Sequence, residues 1–220
     1  MINSQQKIQF KMLASQINPH FLYNTLETIR MKLICNGDRE TANVIKILGK
    51  TIRRMLEVRD ETVTLASELE YICYYLEIQR FRFGTRIDYE IKISDDVDTK
   101  EYCLLPLLLQ PIVENAFIHG LEDKEGGGKI TIDIRKKEKV LQILVEDNGK
   151  GMAPEKCDSL NSSMKDVENS STKNSIGLYN VHQRIILYYG QDYGVDISSC
   201  LNAGTRVYIN LPSRGGSDLL

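Results

Sequence analysis

Three groups of residues in this chain combine side-chain types and spacings that can do chemistry. The first surrounds a histidine near the N-terminus, in Gln16-Ile17-Asn18-Pro19-His20-Phe21-Leu22-Tyr23-Asn24. An imidazole can be neutral and nucleophilic near neutral pH, so it can accept a transferred phosphoryl group. Gln16, His20, Asn24 and Glu27 recur at intervals of four, four and three, which places them on one helical face. The second group is Glu114-Asn115 with His119, where Asn115 and His119 are one helical turn apart. An amide oxygen suits magnesium, which usually keeps waters and triphosphate oxygens as its other ligands. The third is Asp147-Asn148-Gly149-Lys150-Gly151, directly after an alternating strand pattern. A carboxylate at a strand end can accept a hydrogen bond from an exocyclic amine such as that of adenine. The glycines let backbone approach a ligand closely.

Two later segments fit the same chemistry. Ser175-Ile176-Gly177-Leu178-Tyr179-Asn180 opens a helix, where free amide N–H groups can bind phosphate. Gly204-Thr205 begins the last strand, and its hydroxyl could close an adenine pocket. Each piece also has a plainer explanation. Asp, Asn and Gly are turn residues, and a hairpin glycine accounts for Gly204. A helical Asn or His taken alone is more often a surface residue. The plainer reading of Asn18-Pro19 is that it only begins a helix and His20 is an ordinary exposed histidine, because Pro19 lacks a donor and clashes with the Ser15 carbonyl in a straight helix. A kink, or a new start capped by Asn18, is predicted there.

The elements that must position these groups follow from periodicity. Leu22, Leu26, Ile29 and Leu33 form one helical stripe, and Ile45, Leu48, Ile52 and Met55 form another. Asn36-Gly37-Asp38 between them reads as a helix stop and a new N-cap. The result is a helical hairpin, whose outer apolar face a second copy would cover as a four-helix bundle. A third helix is predicted over Ser67 to Phe81, with Ser67-x-x-Glu70 as a capping box. Alternation then takes over at Ile87/Tyr89/Ile91/Ile93, Ile130/Ile132/Ile134, Leu141/Ile143/Val145, Val195/Ile197 and Val207/Ile209/Leu211. Helices are predicted over about Pro106 to His119 and Ile176 to Tyr188, and an aperiodic loop over Met152 to Ser175. The fold class is α+β: a helical hairpin followed by a two-layer α/β sandwich with an antiparallel or mixed sheet. The expected domains are 1–84, helical and dimerising, then 85–212, then a tail over 213–220.

Composition narrows the function classes. The 220 residues carry 28 Lys+Arg against 30 Asp+Glu, a net charge of −2 that offers no electrostatic reason to propose nucleic acid. The longest apolar run, Leu104 to Val113, is interrupted by Pro106, Gln110 and Pro111 and is too short to span a bilayer. The polar Met1 to Gln9 segment lacks a signal-peptide core, so a membrane anchor is expected only outside this chain. Five scattered cysteines without a CxxC pair read as reduced thiols of a cytoplasmic protein.

Taken in order, Asn115, Asp147-x-Gly149-x-Gly151, Ile176-Gly177-Leu178 and Gly204-Thr205 resemble the Bergerat-type ATP site shared by DNA gyrase, the ninety-kilodalton heat-shock chaperone and sensor histidine kinases. Leu109-Gln110-Pro111-Ile112-Val113-Glu114-Asn115-Ala116-Phe117-Ile118-His119-Gly120, Gln16 to Asn24 and Tyr75-Leu76-Glu77-Ile78-Gln79-Arg80-Phe81-Arg82 are similar to the LytS/YesM-type branch of those kinases. The resemblance runs from about Gln16 to Pro212. It implies that Asp147 binds the adenine amine with Thr205, and that Asn115 ligates Mg2+ on the phosphates of ATP. It further implies that Gly149, Gly151, Gly177 and Leu178 frame the loop closing on ATP, with His119 beside the nucleotide. His20 would be phosphorylated in a homodimer, and an aspartate of a response regulator would receive the phosphoryl group next.

Two positions depart from that pattern. Pro111 stands where related sites often carry an acidic or amide side chain, which leaves Glu114 a supporting role toward a metal-bound water. Phe21 stands where many histidine kinases place an acidic residue after the acceptor, so Asn24 or a group of the ATP-binding module is expected to orient His20. Asn24 could instead position water to dephosphorylate the partner. Two rivals stay open: an ATPase or chaperone-like machine of the same nucleotide fold, and a dimeric partner-binding module without turnover.

Overall fold

The computed structural model describes residues 19–57, 61–165 and 176–213. The chain forms two compact units that part between Arg59 and Asp60.

The first unit contains helix α1 (Pro19–Cys35) and helix α2 (Arg39–Glu57). Their junction follows from three residues. Gly37 adopts φ 83°, and the Gly37 and Asp38 N–H groups bond back to the Ile34 and Leu33 carbonyls at 3.0 and 2.9 Å, closing α1 as a Schellman motif. Asp38 Oδ1 then accepts the Thr41 N–H at 3.0 Å and caps α2. This is the stop-and-cap expected at Asn36-Gly37-Asp38. Ala42 and Ile47 are buried, and Gly49 faces Leu26 of α1, from which a Cβ would stand 3.9 Å. Phe21, Ile29, Met31 and Ile34 stay exposed on α1. Gln16 and Asn18 lie outside the described residues, as does the expected Asn18 cap.

In the second unit, β1 (Val63–Thr64) pairs antiparallel with β3 (Cys103–Leu104), and between them run α3 (Leu65–Phe83) and β2 (Ile87–Ile93). Helix α4 (Gln110–Asn115) continues into a π-helical turn, Ala116–Leu121. Then follow β4 (Gly128–Lys137), β5 (Val140–Asp147), α5 (Pro154–Lys165), α6 (Ile176–Tyr189), β6 (Gly194–Cys200) and β7 (Gly204–Pro212). The five-stranded sheet has the order β2-β4-β5-β7-β6, with β2 and β4 parallel and the other pairs antiparallel. The expected α+β class and mixed sheet are therefore observed. Ile130, Ile132, Ile134, Leu141, Ile143, Val145, Val207, Ile209 and Leu211 all point to the covered face. There they meet Leu69, Ile72 and Leu76 of α3, Ile112 and Val113 of α4, and Val181 and Ile185 of α6 in one core.

The third helix packs its Leu65, Leu69, Ile72 and Leu76 into the sheet core, and by packing it groups with the second unit. Three expectations are corrected. The N-cap of this helix is Thr64, whose Oγ1 accepts the Ser67 N–H at 3.2 Å, and not Ser67, because β1 delivers the chain straight into Leu65. The helix expected over Pro106 to His119 starts only at Gln110, since the buried Glu68 carboxylate holds the Leu107 and Leu109 N–H groups at 3.2 and 3.1 Å, with Leu107 at φ 58°. Arg184 grips the same segment by its carbonyls, donating to Pro106 at 2.6 Å and Leu107 at 3.3 Å.

The third correction falls in the stretch expected to be an aperiodic loop. Its first half is helix α5, with Cys157 and Met164 buried and Leu160 against the core. Three apolar residues suffice because α5 needs to cover only the edge strand β6. Asn161 does so with both ends of its amide, accepting from Ile197 N–H at 3.0 Å and donating to its carbonyl at 2.8 Å. Residues 166–175 lie outside the described residues.

Candidate active site

The site grows from the end of β5. The alternation of β5 turns Asp147 to the covered face, where it is only 4% exposed. Its Oδ1 accepts the Gly149 N–H at 2.9 Å, the short-range turn bond that the plainer reading of Asp-Asn-Gly anticipates. Burial raises the Asp147 pKa, and the N–H groups of Gly149 and Thr205 pull it partly back down. The same segment is thus both a turn and a buried acceptor. Asn148 does the rest of the turn's work. Its Oδ1 accepts from Lys129 N–H at 2.8 Å and its Nδ2 donates to the Gly127 carbonyl at 2.8 Å.

Glycines wall the carboxylate. A Cβ on Gly120 would stand 2.7 Å from Asp147 Oδ1, and one on Gly149 would stand 2.3 Å from the Gly120 carbonyl oxygen. The π turn that follows Asn115 carries Gly120 into this contact, with the Glu122 N–H bonding to the Phe117 carbonyl at 2.9 Å. Gly151, at φ 61°, and Gly204, at φ 95°, face backbone instead. A Cβ there would collide at 1.9 Å with the Cys200 carbonyl and the Asp147 carbonyl respectively. Thr205 lies opposite Asp147 in the β5–β7 register.

Asn115 ends α4 half-buried. A Cβ on Gly177 would lie 3.5 Å from its Nδ2, so the first turn of α6, with Leu178, rests against it. Glu114 Oε1 accepts from Gln110 Nε2 at 2.6 Å, which ties its carboxylate to the preceding turn. His119 is exposed on the π turn, one residue before the Gly120 contact. In the other unit, Asn24 Nδ2 is 3.2 Å from His20 Nδ1 on the exposed face of α1.

Sequence reasoning missed Gly120, Glu68, Arg184 and Ser199 as parts of this architecture. Ser199 Oγ contacts the Thr205 hydroxyl at 3.0 Å. Only Gly120 had a signal, as the terminal glycine of the Asn115-x-x-x-His119-Gly120 run.

A buried acid at a strand end, glycine walls and an amide-bearing helix give this α/β sandwich a candidate nucleotide site. Comparison agrees. Residues 104–215 match the family of histidine kinase-, DNA gyrase B- and HSP90-like ATPases, and residues 8–87 match the histidine kinase family. The chain is 36% identical over 210 residues to the sensor histidine kinase YesM of Bacillus subtilis (strain 168), covering 95% of this chain and 34% of YesM. It is 31% identical to the sensor protein LytS of Bacillus cereus over 215 residues, covering 97% of this chain and 35% of LytS. Against the uncharacterized protein YwpD of Bacillus subtilis (strain 168) it is 37% identical over 221 residues, covering 98% of this chain and 74% of YwpD. The catalytic domain of histidine kinase ThkA shares the fold at a TM-score of 0.51 and 14% identity, covering 70% of this chain and 97% of that one. The chain belongs to the sensor histidine kinase family and carries its ATP-binding domain. It spans about a third of the length of YesM and LytS. The histidine kinase match ends at residue 87, whereas the compact units part at Arg59, so family boundary and packing boundary differ by helix α3.

Proposed function

We propose that this chain is the transmitter region of a two-component sensor kinase. It binds MgATP in its second unit, transfers the γ-phosphoryl group to His20 and passes it to an aspartate of a response regulator. The observation that carries this reading is Asp147, a carboxylate buried against glycines at the end of β5 in a chain of this family. Such an acceptor fits an adenine amine.

Asn115 fits a magnesium ion that takes its remaining ligands from phosphates and water. Among the described residues no cluster of three or more His, Cys, Asp or Glu could hold a metal alone. Bound there, the ion would neutralise phosphate charge. Glu114, which accepts from Gln110, would orient a metal-bound water, and His119 and Gly177 lie near the same helix end.

In the transfer an imidazole nitrogen forms the N–P bond, the Pγ–O bond to the β-phosphate breaks, and ADP leaves with that electron pair. The ring proton passes to solvent. The attacking nitrogen must be unprotonated, and Asn24 supports that choice. Its amide lies 3.2 Å from Nδ1, close enough to bias which ring nitrogen carries the proton. The exposed apolar residues of α1 support a homodimer. No helix among the described residues is long and apolar enough to cross a membrane. A cytoplasmic location fits the ATP-dependent reading.

Incubating the parent and His20→Gln with radiolabelled MgATP tests the reading. Acid-labile label on the parent alone is expected. ATP hydrolysis without label would instead indicate an ATPase, and neither activity a partner-binding module.

A further inference from the structure

Ser199, Thr205 and Asp147 stand side by side across β6, β7 and β5, in the register pairs Ser199↔Thr205 and Thr205↔Asp147. Directly opposed residues share a face, so all three side chains lie on the covered side of the sheet. Only one assignment of their protons satisfies every contact at once. Ser199 Oγ carries one proton and two lone pairs. The Met152 N–H donates to it at 2.9 Å. The Gly204 carbonyl, 2.9 Å away, can only accept and takes the Ser199 proton. In that assignment what remains toward Thr205 Oγ1, at 3.0 Å, is a lone pair, and Thr205 is the donor. With its proton committed to Ser199, the Thr205 hydroxyl has only lone pairs to offer beside Asp147.

We propose that Ser199 is a positioning residue for base specificity: by holding the Thr205 proton, it makes Asp147 and Thr205 an all-acceptor wall that takes a purine with an amine at C6 and rejects one with a carbonyl there. The inference rests on the nucleotide reading of the site. Asp147 alone accepts from an amine, but a neighbouring hydroxyl free to rotate would donate to a carbonyl and rescue the wrong base. Ser199 removes that option. A carbonyl facing two sets of lone pairs loses its water without gaining a donor, and unpaired polar groups of this kind discriminate strongly.

The test measures the affinity of the full chain for ATP and for inosine triphosphate, each with magnesium, by titration calorimetry. The variants are Ser199→Ala, Ser199→Thr, Thr205→Val and the Ser199→Ala/Thr205→Val pair. The parent is expected to prefer ATP. Ser199→Ala is expected to shrink the ATP-to-ITP preference by about tenfold, as for one misdirected hydrogen bond. Ser199→Thr keeps the hydroxyl and should keep the preference. In the Thr205→Val background, Ser199→Ala should change the preference no further, because the effect runs through the Thr205 proton. If Ser199→Ala does not fold, Ser199→Cys, with a weak donor and acceptor, must lower the preference in the same direction. Equal weakening of both nucleotides by Ser199→Ala overturns the proposal and leaves Ser199 a structural role. So does an effect that persists without the Thr205 hydroxyl. A parent that binds neither nucleotide overturns the reading of the site itself, and this inference with it.

Discussion

Gly120 and Asp147 touch so closely that the side chain of one depends on the absence of a side chain on the other. A methyl group on Gly120 would stand 2.7 Å from Asp147 Oδ1 and 2.8 Å from its Cγ. Gly120→Ala is therefore expected to turn the carboxylate and weaken ATP binding by about tenfold or more, the worth of one hydrogen bond to a charged group. Calorimetric titration with MgATP checks this. Parental affinity would show that the carboxylate adapts and that this contact does not shape the pocket.

Asp147 also sets function against stability. Burial raises its folded pKa above the ordinary aspartate value. Between those two values the native state binds more protons than the unfolded state, so this group's contribution to stability falls as pH rises through the window. At neutral pH the nucleotide-free fold carries the cost of the charge. Asp147→Asn is expected to melt at the same or a higher temperature than the parent without nucleotide. It should also lose the stabilisation that MgATP confers on the parent. Thermal melts with and without MgATP decide, and a lower melting temperature without nucleotide would contradict the argument.

The pairing of Asn24 with His20 at 3.2 Å makes a kinetic prediction. Asn24→Ala is expected to slow phosphorylation of His20 by about three- to tenfold, the value of one modest hydrogen bond. Time courses of acid-labile label measure it. Label that appears and decays at parental rates would free Asn24 from both orienting the ring and placing a hydrolytic water.

Glu68 links α3 to the segment that leads into the Asn115 helix. Glu68→Gln keeps the volume but offers only one acceptor atom and sets an NH2 group against the Leu107 or Leu109 N–H. The expected cost is about 1–3 kcal/mol, or a few degrees in melting temperature. Chemical and thermal denaturation measure that cost. Arg184→Ala, which frees the Pro106 and Leu107 carbonyls from the other side, should act in the same direction.

Some of this architecture was legible in the order of residues. Alternating apolar residues announced each strand of the five-stranded sheet, because a half-covered sheet demands a period of two. Gly37 and Asp38 announced the hairpin, because a left-handed stop and a capping carboxylate act within a few residues of themselves. The chain order of Asn115, Asp147, Gly177 and Thr205 was visible too. Helix α5 was not, since Cys157, Leu160 and Met164 make too thin a stripe, and its reason to exist is the exposed edge of β6. The cap at Thr64 and the late start of α4 were hidden for a like reason: both depend on where β1 and Glu68 arrive in space.

By itself, then, the amino-acid order determined what acts over one or two turns: periodicities, caps, tight glycines and the kinds of atoms available for a nucleotide and a phosphoacceptor. Only the tertiary structure decided which way those atoms face. Asp147 is buried because the π turn brings Gly120 to it, and the Thr205 hydroxyl has a partner because Ser199 lies opposite on the next strand. Both depend on contacts between residues distant in the chain, and no local spacing encodes the desolvation or the hydrogen-bond polarity that such contacts impose.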